Sequence, residues 1–555
     1  MKRLILTLAL AVGALSAYAC TNFIVTKGAS TDGSVMVTYA ADSHQLYGAL
    51  YKYNPAKKAS ATMPVYDWDS GKYLGDIAQA PVTYATVGNM NEHSLIITET
   101  TWGGLPQLED PNGKIDYGSL IYITLQRAKS AREAIATIAE LANTYGYASS
   151  GESFSIADAD EAWIMELIGK GDSTNDPSRK GIVWVARQIP DGYVSAHANQ
   201  ARITNISKND PTCLYSEDVI SFARKEGLFE GDDKDFSFCD TYAPADFGAL
   251  RGCEARVWSF FRSVTEGMDA YVDYAMGVNP QNKMPLWVKP TEKISPKKLF
   301  DAMRDHYEGT PMDMTTDLGA GGHALPYRWR PMTFEVDGKT YTNERATATQ
   351  QTGFWIVGQA RPGKTGILWF GVDDAATSCL TPIYCNTQEA PECLAEGNGS
   401  MLDYTPTSAF WLFNRVTNFA YMRYDMISAD IRKVVDFWEN SMLEAVEGID
   451  KKAATLSAKA QKKYLTTFSN NMAAEWFANW SRLDKYLLIK YVDGNVKSEN
   501  ADVLKYVIGA GGDHTHFVDN GNGKQIPGKI QFPGYNEKWK RAVAKDNGEI
   551  LQVVK

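Results

Sequence analysis

The sequence predicts an α+β fold, and three observations support this prediction. Short apolar segments separated by turns run from Asn22 to about Asp373, which is typical of antiparallel strands. Helix signals interrupt these strands in groups, which favours a layered α+β architecture over alternating βαβ units. After Pro406 the pattern changes to long amphipathic helices. We therefore expect an antiparallel sheet or a pair of sheets, followed by a helical C-terminal region.

The strand predictions rest on short runs rich in β-branched and aromatic residues. Asp32-Gly33 is typical of a tight turn and predicts that the first two strands form a hairpin. The predicted strands are Phe23–Thr26, Val35–Tyr39, Leu95–Thr98, Phe154–Ala157, Trp163–Leu167, Ile182–Ala186 and Tyr193–Ala196.

Helices are predicted from capping signals and from apolar periodicity. Ser130-Ala131-Arg132-Glu133 is a capping box that opens a helix ending at Gly146. Ser216 to Gly227 is a second candidate, and Ser295-Pro296 opens a third because proline favours the first helical position. Apolar residues from Val416 to Val446 follow helical steps and predict one long helix. A further helix is expected from Asn471 to Tyr491, and a long loop from Gln388 to Leu402.

The N-terminus has the pattern of a secretory signal. Lys2 and Arg3 form a basic start, residues 4–15 are apolar, and Ala17-Tyr18-Ala19 is a small-x-small cleavage site. Cleavage after Ala19 would make Cys20 the first residue of an exported protein, periplasmic or extracellular. Lipidation of Cys20 is the alternative, although lipoprotein signals favour leucine at the position of Ala17.

Composition excludes some functions and leaves others open. The net charge of −10 and the pI near 5.4 argue against a nucleic-acid partner, because phosphate binding needs a basic surface. After the signal no apolar segment is long enough to span a membrane.

Six cysteines follow Cys20, and an even number in an exported chain permits disulfides. The local candidates are Cys239–Cys253 and two of Cys379, Cys385 and Cys393. Homo-oligomer formation stays open.

An N-terminal cysteine can act as nucleophile and carry its own base. The α-amino group titrates near pH 7.7–8.0 and can take the proton of the thiol on the same residue. Such a site also needs an acid beside the ammonium and a donor for the oxyanion. Asp42 follows a strand that can pair with the first one, and Asn199 follows another strand with an uncharged amide. Each of these two residues also fits an ordinary turn or loop position.

Several ordered blocks resemble the dipeptidase A family of cysteine peptidases, within the N-terminal nucleophile (Ntn) hydrolase superfamily. No single block is specific, but their order along nearly the whole mature chain is. The blocks are Cys20-Thr21, Lys27 to Ser34, Asp42-Ser43-His44, Asn91-Glu92-His93, Ala162 to Glu166, Val194 to Gln200, His306 to Pro311, Trp369-Phe370-Gly371 and Phe413 to Val416.

The resemblance implies a fold and a set of roles. It implies an αββα sandwich over residues 20–405, with an appended long-helix region over 406–555, and small peptides as substrates without a metal or organic cofactor. Cys20 would be the nucleophile with its amine as base, Asp42 would hold that amine, and Asn199 would line the oxyanion hole. Arg256 resembles the arginine that related enzymes keep near the nucleophile.

The expected substrate site contains three further residues. Acylase relatives carry arginine where this chain has Tyr39, and asparagine where it has Thr101. We assign both to the substrate-binding site together with Glu99, a candidate for binding a substrate ammonium. A surface glutamate is the better interpretation of Glu99 from the sequence alone.

Taken together, these observations predict an exported cysteine dipeptidase that forms a thioester on Cys20. One alternative is an Ntn hydrolase of acyl amino acids or bile-salt-like conjugates. Another is a membrane-tethered lipoprotein that binds a ligand without catalysis. Asp513-His514-Thr515-His516 with His323 could be drawn as a metal site, but solvated side chains explain that loop better. His44, His197 and His306 are expected to be structural, because an N-terminal nucleophile needs no histidine base.

Overall fold

The computed structural model describes residues 20–57, 60–508 and 516–553. The expected signal peptide, residues 1–19, lies outside the described residues, as does the segment 513–515 of the alternative metal site.

The strands of the described chain are, in chain order, β1 (Asn22–Val25), β2 (Val35–Asp42), β3 (Lys52–Tyr53), β4 (Thr62–Tyr66), β5 (Tyr73–Ala78), β6 (Thr86–Val87), β7 (Met90–Asn91), β8 (Ile96–Gly103), β9 (Gly151–Ala157), β10 (Ala162–Gly169), β11 (Ile182–Gln188), β12 (Val194–His197), β13 (Cys213–Tyr215), β14 (Trp287–Val288), β15 (Thr333–Val336), β16 (Lys339–Thr342), β17 (Thr352–Ala360), β18 (Ile367–Val372), β19 (Thr381–Tyr384), β20 (Val496–Lys497) and β21 (Ile530–Gln531).

The α-helices are α1 (Tyr117–Leu125), α2 (Ala131–Tyr145), α3 (Val219–Lys225), α4 (Phe238–Tyr242), α5 (Ala255–Val264), α6 (Val272–Ala275), α7 (Pro296–Ala302), α8 (Ala409–Ala420), α9 (Tyr424–Ala453), α10 (Ala458–Tyr491), α11 (Val503–Val507) and α12 (Glu537–Leu551). In the part of the chain that the structure describes, none of the helices is long and apolar enough to cross a membrane.

Two large sheets organise the molecule. The first has seven strands in the order β14-β12-β1-β2-β17-β18-β19, and the second has eight in the order β13-β11-β10-β9-β8-β7-β6-β3. Neighbouring strands in both sheets pair antiparallel. The predicted mixture of antiparallel sheets and helices is therefore confirmed.

The two sheets contact one another through β1 and β2 on one side and β8 and β9 on the other. Helices α1, α2 and α3 pack on the second sheet, whereas α5, α8, α9 and α10 pack on the first. One apolar core includes the side chains between the sheets and those beneath the long helices, and a second joins the second sheet to α1 and α2. Strand alternation produces this division, because Ile96 and Ile164 belong to the first core while Ile97 and Met165 belong to the second. The boundary proposed at residue 405 stays a prediction.

The predicted strands all form, with ends shifted by a few residues. The most useful shift is in β2, which continues past Tyr39 to Asp42, so that Asp42 is the last residue of the strand instead of a loop residue beyond it. Gly33 has φ +74° in the turn between β1 and β2, a backbone conformation that glycine adopts without steric cost. The predicted hairpin is thus observed.

Helix α2 begins and ends where its capping signals predict. The Ser130 side chain accepts a hydrogen bond from the Glu133 N–H, and Gly146 follows the last turn with φ +81°. Helix α7 begins at Pro296 with Ser295 as its N-cap. Helix α3 is shorter than predicted, since it covers only Val219–Lys225.

The prediction of one long helix from Val416 to Val446 is wrong. Residues 421–423 form a 3₁₀ turn between α8 and α9, and Arg423 leaves the helical region at φ −153° and ψ 63°. The apolar periodicity continues through this break because both helices pack against the first sheet. The Arg423 guanidinium donates hydrogen bonds to the carbonyls of Gly494 and Pro533, which holds the break in place.

The helix expected from Asn471 begins earlier, at Ala458. Its first turns are mostly exposed and contain alanine, lysine and glutamine, which favour helix without an apolar stripe. Apolar periodicity was therefore a poor guide to its beginning. The Gln388–Leu402 segment is a loop that contains one short 3₁₀ turn, Glu392–Leu394.

The suggested disulfides are wrong, because all seven cysteines are free thiols in the structure. The last three contact different elements: Cys379 accepts a hydrogen bond from the Trp476 indole, Cys385 lies 3.7 Å from the Ser94 hydroxyl, and Cys393 donates to the Ala473 carbonyl. Cys239 and Cys253 are separate too, with Cys239 beside Ser237 and Cys253 beside Arg256. An even number of cysteines does not bring them together.

The packing of α8 on α10 gives a stability prediction. Phe413 is fully buried and stacks on Trp476 and Trp480, with both ring centroids 4.3 Å away. We expect Phe413→Ala to lower the free energy of unfolding by about 3–5 kcal/mol in urea titrations, because the truncation leaves a cavity. Phe437→Ala on α9, where the ring is 41% exposed, is the control and should change it by less than about 0.5 kcal/mol. A loss below about 1 kcal/mol for Phe413→Ala would contradict this packing.

Candidate active site

Cys20 lies directly before β1 and is only 5% exposed. Its backbone is tied to β2 because Thr21 bridges to Ala40. The thiol donates to the Tyr39 hydroxyl over 3.8 Å, and the backbone N–H of Asp42 hydrogen-bonds the sulfur. The residue that follows the expected signal cut is therefore held rigidly between two strands.

The surroundings of this thiol favour its neutral form. Burial raises the pKa of Cys20 well above its usual value, and the nearby acids Glu99 and Asp42 raise it further. The hydrogen bonds from Asp42 N–H and with Tyr39 act in the opposite direction but are smaller. A nucleophile at this position consequently needs a base that takes the thiol proton.

Arg256 connects the surroundings of Cys20. It lies on α5, is 1% exposed, and donates to the Cys20 carbonyl at 2.7 Å and to the Thr21 hydroxyl at 2.8 Å. It also donates to the Ala198 carbonyl at 3.2 Å and to the Asn199 side-chain oxygen at 2.9 Å. One planar guanidinium thus fixes both the start of β1 and the segment after β12.

Asn199 is held by its backbone and by both ends of its amide. Its φ of +57° lies in the left-handed region, which asparagine tolerates better than most residues. The amide oxygen accepts from Arg256, so the amide nitrogen points away from the guanidinium and donates to the Thr101 carbonyl at 2.6 Å. This NH₂ group retains a second hydrogen for another acceptor.

Asp42 is fully buried at the end of β2. Arg345 donates to one carboxylate oxygen at 2.5 Å, and the Thr352 hydroxyl donates to the other at 2.6 Å. Burial nevertheless raises the pKa of Asp42 to about 6, although Arg345 and Thr352 oppose the shift. Asp42 therefore lies beside Cys20 with its carboxylate bound by an arginine that the sequence did not indicate.

Tyr39, Glu99 and Thr101 lie together on the acidic side of the thiol. The Tyr39 hydroxyl donates to a Glu99 carboxylate oxygen at 2.5 Å, and Glu99 is 1% exposed, so the alternative of a surface glutamate is wrong. Thr101 is partly exposed and donates to Glu152 at 3.0 Å. Glu152 is fully buried, and its pKa is raised well above the usual value by burial and by Glu99.

A second tyrosine–acid pair lies near this cluster. The Tyr117 hydroxyl, on the first residue of α1, donates to Asp69 at 3.0 Å. Burial raises the pKa of Asp69 to about 6, and Glu99 contributes to the shift. Burial also raises the pKa of Tyr117, with Glu99, Asp69 and Cys20 adding to the effect. Both residues are partly exposed, so the acidic cluster extends from buried Glu99 toward the surface.

His197 is held as a structural group. Its Nδ1 lies 2.7 Å from the Thr100 hydroxyl and its Nε2 lies 2.7 Å from the Ser155 hydroxyl, so both ring nitrogens have partners. Burial lowers the pKa of His197 to about 3. His306 is buried against Glu308, whereas His44 is exposed. Within the described chain, the Cys20 thiol hydrogen-bonds Tyr39 and is not joined to a histidine.

Sequence reasoning missed five residues of this neighbourhood. Arg345 is 303 positions from Asp42, and no local pattern links the two. Glu152 offers the one usable signal, because a glutamate inside a strand of small and apolar residues is unusual unless it has a role. The missed residues are Arg345, Thr352, Glu152, Tyr117 and Asp69.

The alternative metal site falls largely on residues 513–515, which lie outside the described residues. Within residues 20–57, 60–508 and 516–553, no group of three His, Cys, Asp or Glu side chains is arranged to hold a metal ion. His323 stacks near Tyr535 and lies 3.8 Å from Asp425, and His516 packs edge-on to Tyr506.

Comparison with known proteins identifies the family. The family model described as Peptidase family C69 matches residues 47–436, which is more than half of the chain. The protein is therefore a peptidase, and it belongs to peptidase family C69, a family of cysteine peptidases.

Curated relatives agree with this assignment. A probable dipeptidase of Latilactobacillus sakei is 23% identical over 487 residues, which cover 83% of this chain and 94% of the relative. A probable dipeptidase A of Streptococcus pyogenes serotype M3 (strain SSI-1) is 24% identical over 435 residues, covering 72% and 82%. A probable dipeptidase of Salmonella dublin is 24% identical over 341 residues, covering 57% and 71%.

The environment of His197 predicts its titration. Because its pKa falls from about 6.5 in the unfolded chain to about 3 in the folded protein, it contributes stability above pH 6.5 that is lost as the pH falls toward 3. We expect its imidazole carbon signal in ¹H–¹³C spectra, assigned through His197→Gln, to stay at the neutral position from pH 8 to 5. The signal of exposed His44 is the reference. A His197 titration midpoint near 6.5 would contradict the buried, doubly hydrogen-bonded ring.

Proposed function

We propose that this protein is an exported cysteine dipeptidase of the N-terminal nucleophile type. The observation that carries the proposal is the single network that joins Cys20 to Arg256, Asn199, Asp42 and Tyr39. The fold supports it, because two face-to-face antiparallel sheets with helices packed on them are consistent with the αββα sandwich of Ntn hydrolases. The relatives named probable dipeptidase support small peptides as the substrates.

Activation in this proposal begins with removal of residues 1–19 on export. The cut frees the α-amine of Cys20, which takes the proton that the raised thiol pKa otherwise retains. The new positive charge lies near the carboxylates of Asp42 and Glu99. His197 is a poor alternative base, because both of its nitrogens are engaged and its pKa is low.

The proposed reaction has two stages, acylation of Cys20 and hydrolysis of the thioester, and consumes one water molecule. The Cys20 sulfur attacks the scissile carbonyl carbon as the amine takes the thiol proton, and the oxyanion forms near the Asn199 amide N–H. The C–N bond breaks while the ammonium returns the proton to the leaving amine, which leaves a thioester on Cys20. Water, deprotonated by the same amine, adds to the thioester and releases the acid and the thiol.

The remaining residues position the reactants. Arg256 holds the Cys20 carbonyl and the Asn199 oxygen, and is therefore a positioning residue. Tyr39, Glu99 and Thr101 form the substrate-binding side of the site in this proposal.

The nucleophile assignment gives the first functional test. The protein is recovered after export, and the mass of its first tryptic peptide is measured. We expect a free amine on Cys20, hydrolysis of dipeptides by the wild type, and a loss of at least about 1,000-fold in kcat for Cys20→Ala. Cys213→Ala, at a buried thiol beside Ser207, is the matched control and should retain activity.

Three outcomes would contradict the proposal. A lipid or blocked amine on Cys20 would remove the base and favour the tethered binding protein. Retained activity in Cys20→Ala would refute the nucleophile. Cleavage confined to acyl amino acids, in a panel that also contains dipeptides and tripeptides, would favour the amide hydrolase of acyl conjugates.

A further inference from the structure

Two buried acids near Cys20, Glu99 and Glu152, take part in none of the proton transfers proposed above. In the register of β8 and β9, Thr101 lies opposite Glu152, and Glu99 lies two positions along the same face. The two carboxyl groups lie close enough for Glu99, after burial, to raise the pKa of Glu152 well above its usual value. Glu99 is 1% exposed and Glu152 is fully buried. Such a pair is costly to bury and is typical of functional sites.

This pair has an unused capacity to bind a cation. Neither Glu99 Oε2 nor Glu152 Oε1 has a hydrogen-bond donor in the described chain. Within the described chain, none of the ion pairs of lysine or arginine involves either residue. One ammonium group would supply both the missing N–H donors and a positive charge.

The pair also lies at the right place relative to the nucleophile. The Tyr39 hydroxyl lies between Cys20 and Glu99. Its oxygen is 3.8 Å from the Cys20 sulfur and 2.5 Å from Glu99 Oε1. In a peptide with a free N-terminus, one carbon separates the α-ammonium nitrogen from the carbonyl carbon of the first peptide bond. A substrate whose first carbonyl meets the sulfur therefore brings its ammonium to the Tyr39–Glu99 end of the site.

The charge pattern around this end favours the same ligand. Asp69, held by Tyr117, adds a third acid on the partly exposed side of the cluster. Arg256 and Arg345 instead engage the Cys20 carbonyl and Asp42. An N-acyl group would put neutral atoms against the carboxylate pair and leave its charge unpaired, which is unfavourable in a buried site.

We propose that Glu99 and Glu152 together form the subsite that binds the free α-ammonium group of the substrate, and so restrict the enzyme to the N-terminal peptide bond of unblocked peptides. This inference rests on the proposed dipeptidase function and adds the feature that selects its substrates. Glu99 supplies the oxygen beside Tyr39, while Glu152, held by the Thr101 hydroxyl, completes the acidic wall of the subsite.

Two substrates that differ in one group test the subsite without any mutation. Alanyl-alanine and propionyl-alanine differ only in the amino group, and the mature wild-type enzyme should prefer alanyl-alanine by at least about 100-fold in kcat/KM. Equal rates for both would overturn the subsite and leave the cysteine hydrolase intact. Hydrolysis of neither, together with no other dipeptide, would overturn the proposed function itself.

Two variants then assign the selectivity to the pair. Glu99→Gln should lower kcat/KM for alanyl-alanine about 10- to 100-fold more than it changes kcat/KM for propionyl-alanine, mainly through KM. Glu152→Gln should lose much less, because burial raises the pKa of Glu152 and favours its neutral form, which glutamine resembles. Glu140→Gln, at an exposed position of α2, is the control for substitution alone. An equal loss with both substrates in Glu99→Gln would mean a structural role and overturn the assignment.

Discussion

The buried guanidinium of Arg256 is the interaction on which the rest of the site depends. It joins the backbone of Cys20 and Thr21 to Ala198 and Asn199, which come from distant parts of the chain. Burying a guanidinium is costly unless its donors are satisfied, and here carbonyl, hydroxyl and amide oxygens satisfy them. The helix that carries Arg256 packs on β12, so the contact between helix and sheet helps to set the position of Cys20.

The charged groups around Cys20 determine which protonation state of its thiol is favoured. Arg256 binds the Cys20 carbonyl and Arg345 binds Asp42, whereas the Tyr39 hydroxyl binds Glu99, which influences the pKa of both Glu152 and Asp69. Acids beside a thiol keep it protonated, which is a disadvantage for a cysteine that relies on a permanent thiolate. The same acids suit a site where an ammonium forms on Cys20 itself and another arrives with the substrate.

The sequence was informative wherever a local pattern decides the structure. Strand alternation located β1, β2 and β8 to β12 to within a few residues, and capping chemistry located α2. Local patterns could not reveal long-range partners such as Arg345 for Asp42, or the pairing of Glu99 with Glu152. Periodicity also failed at the break before Tyr424, because two helices on one sheet continue the same apolar pattern. Cysteine counting failed because each thiol lies in its own packing environment.

The central claim is that Cys20 carries the reaction as an N-terminal thiol. The most direct measurement is the mass of the N-terminal peptide from the mature enzyme, quenched in acid during turnover of a dipeptide. The account predicts a hydroxylamine-sensitive acyl group on Cys20 whose mass equals that of the first amino-acid residue of the substrate, next to a free α-amine. An acyl group on a different side chain, or turnover by protein that still carries residues 1–19, would contradict it.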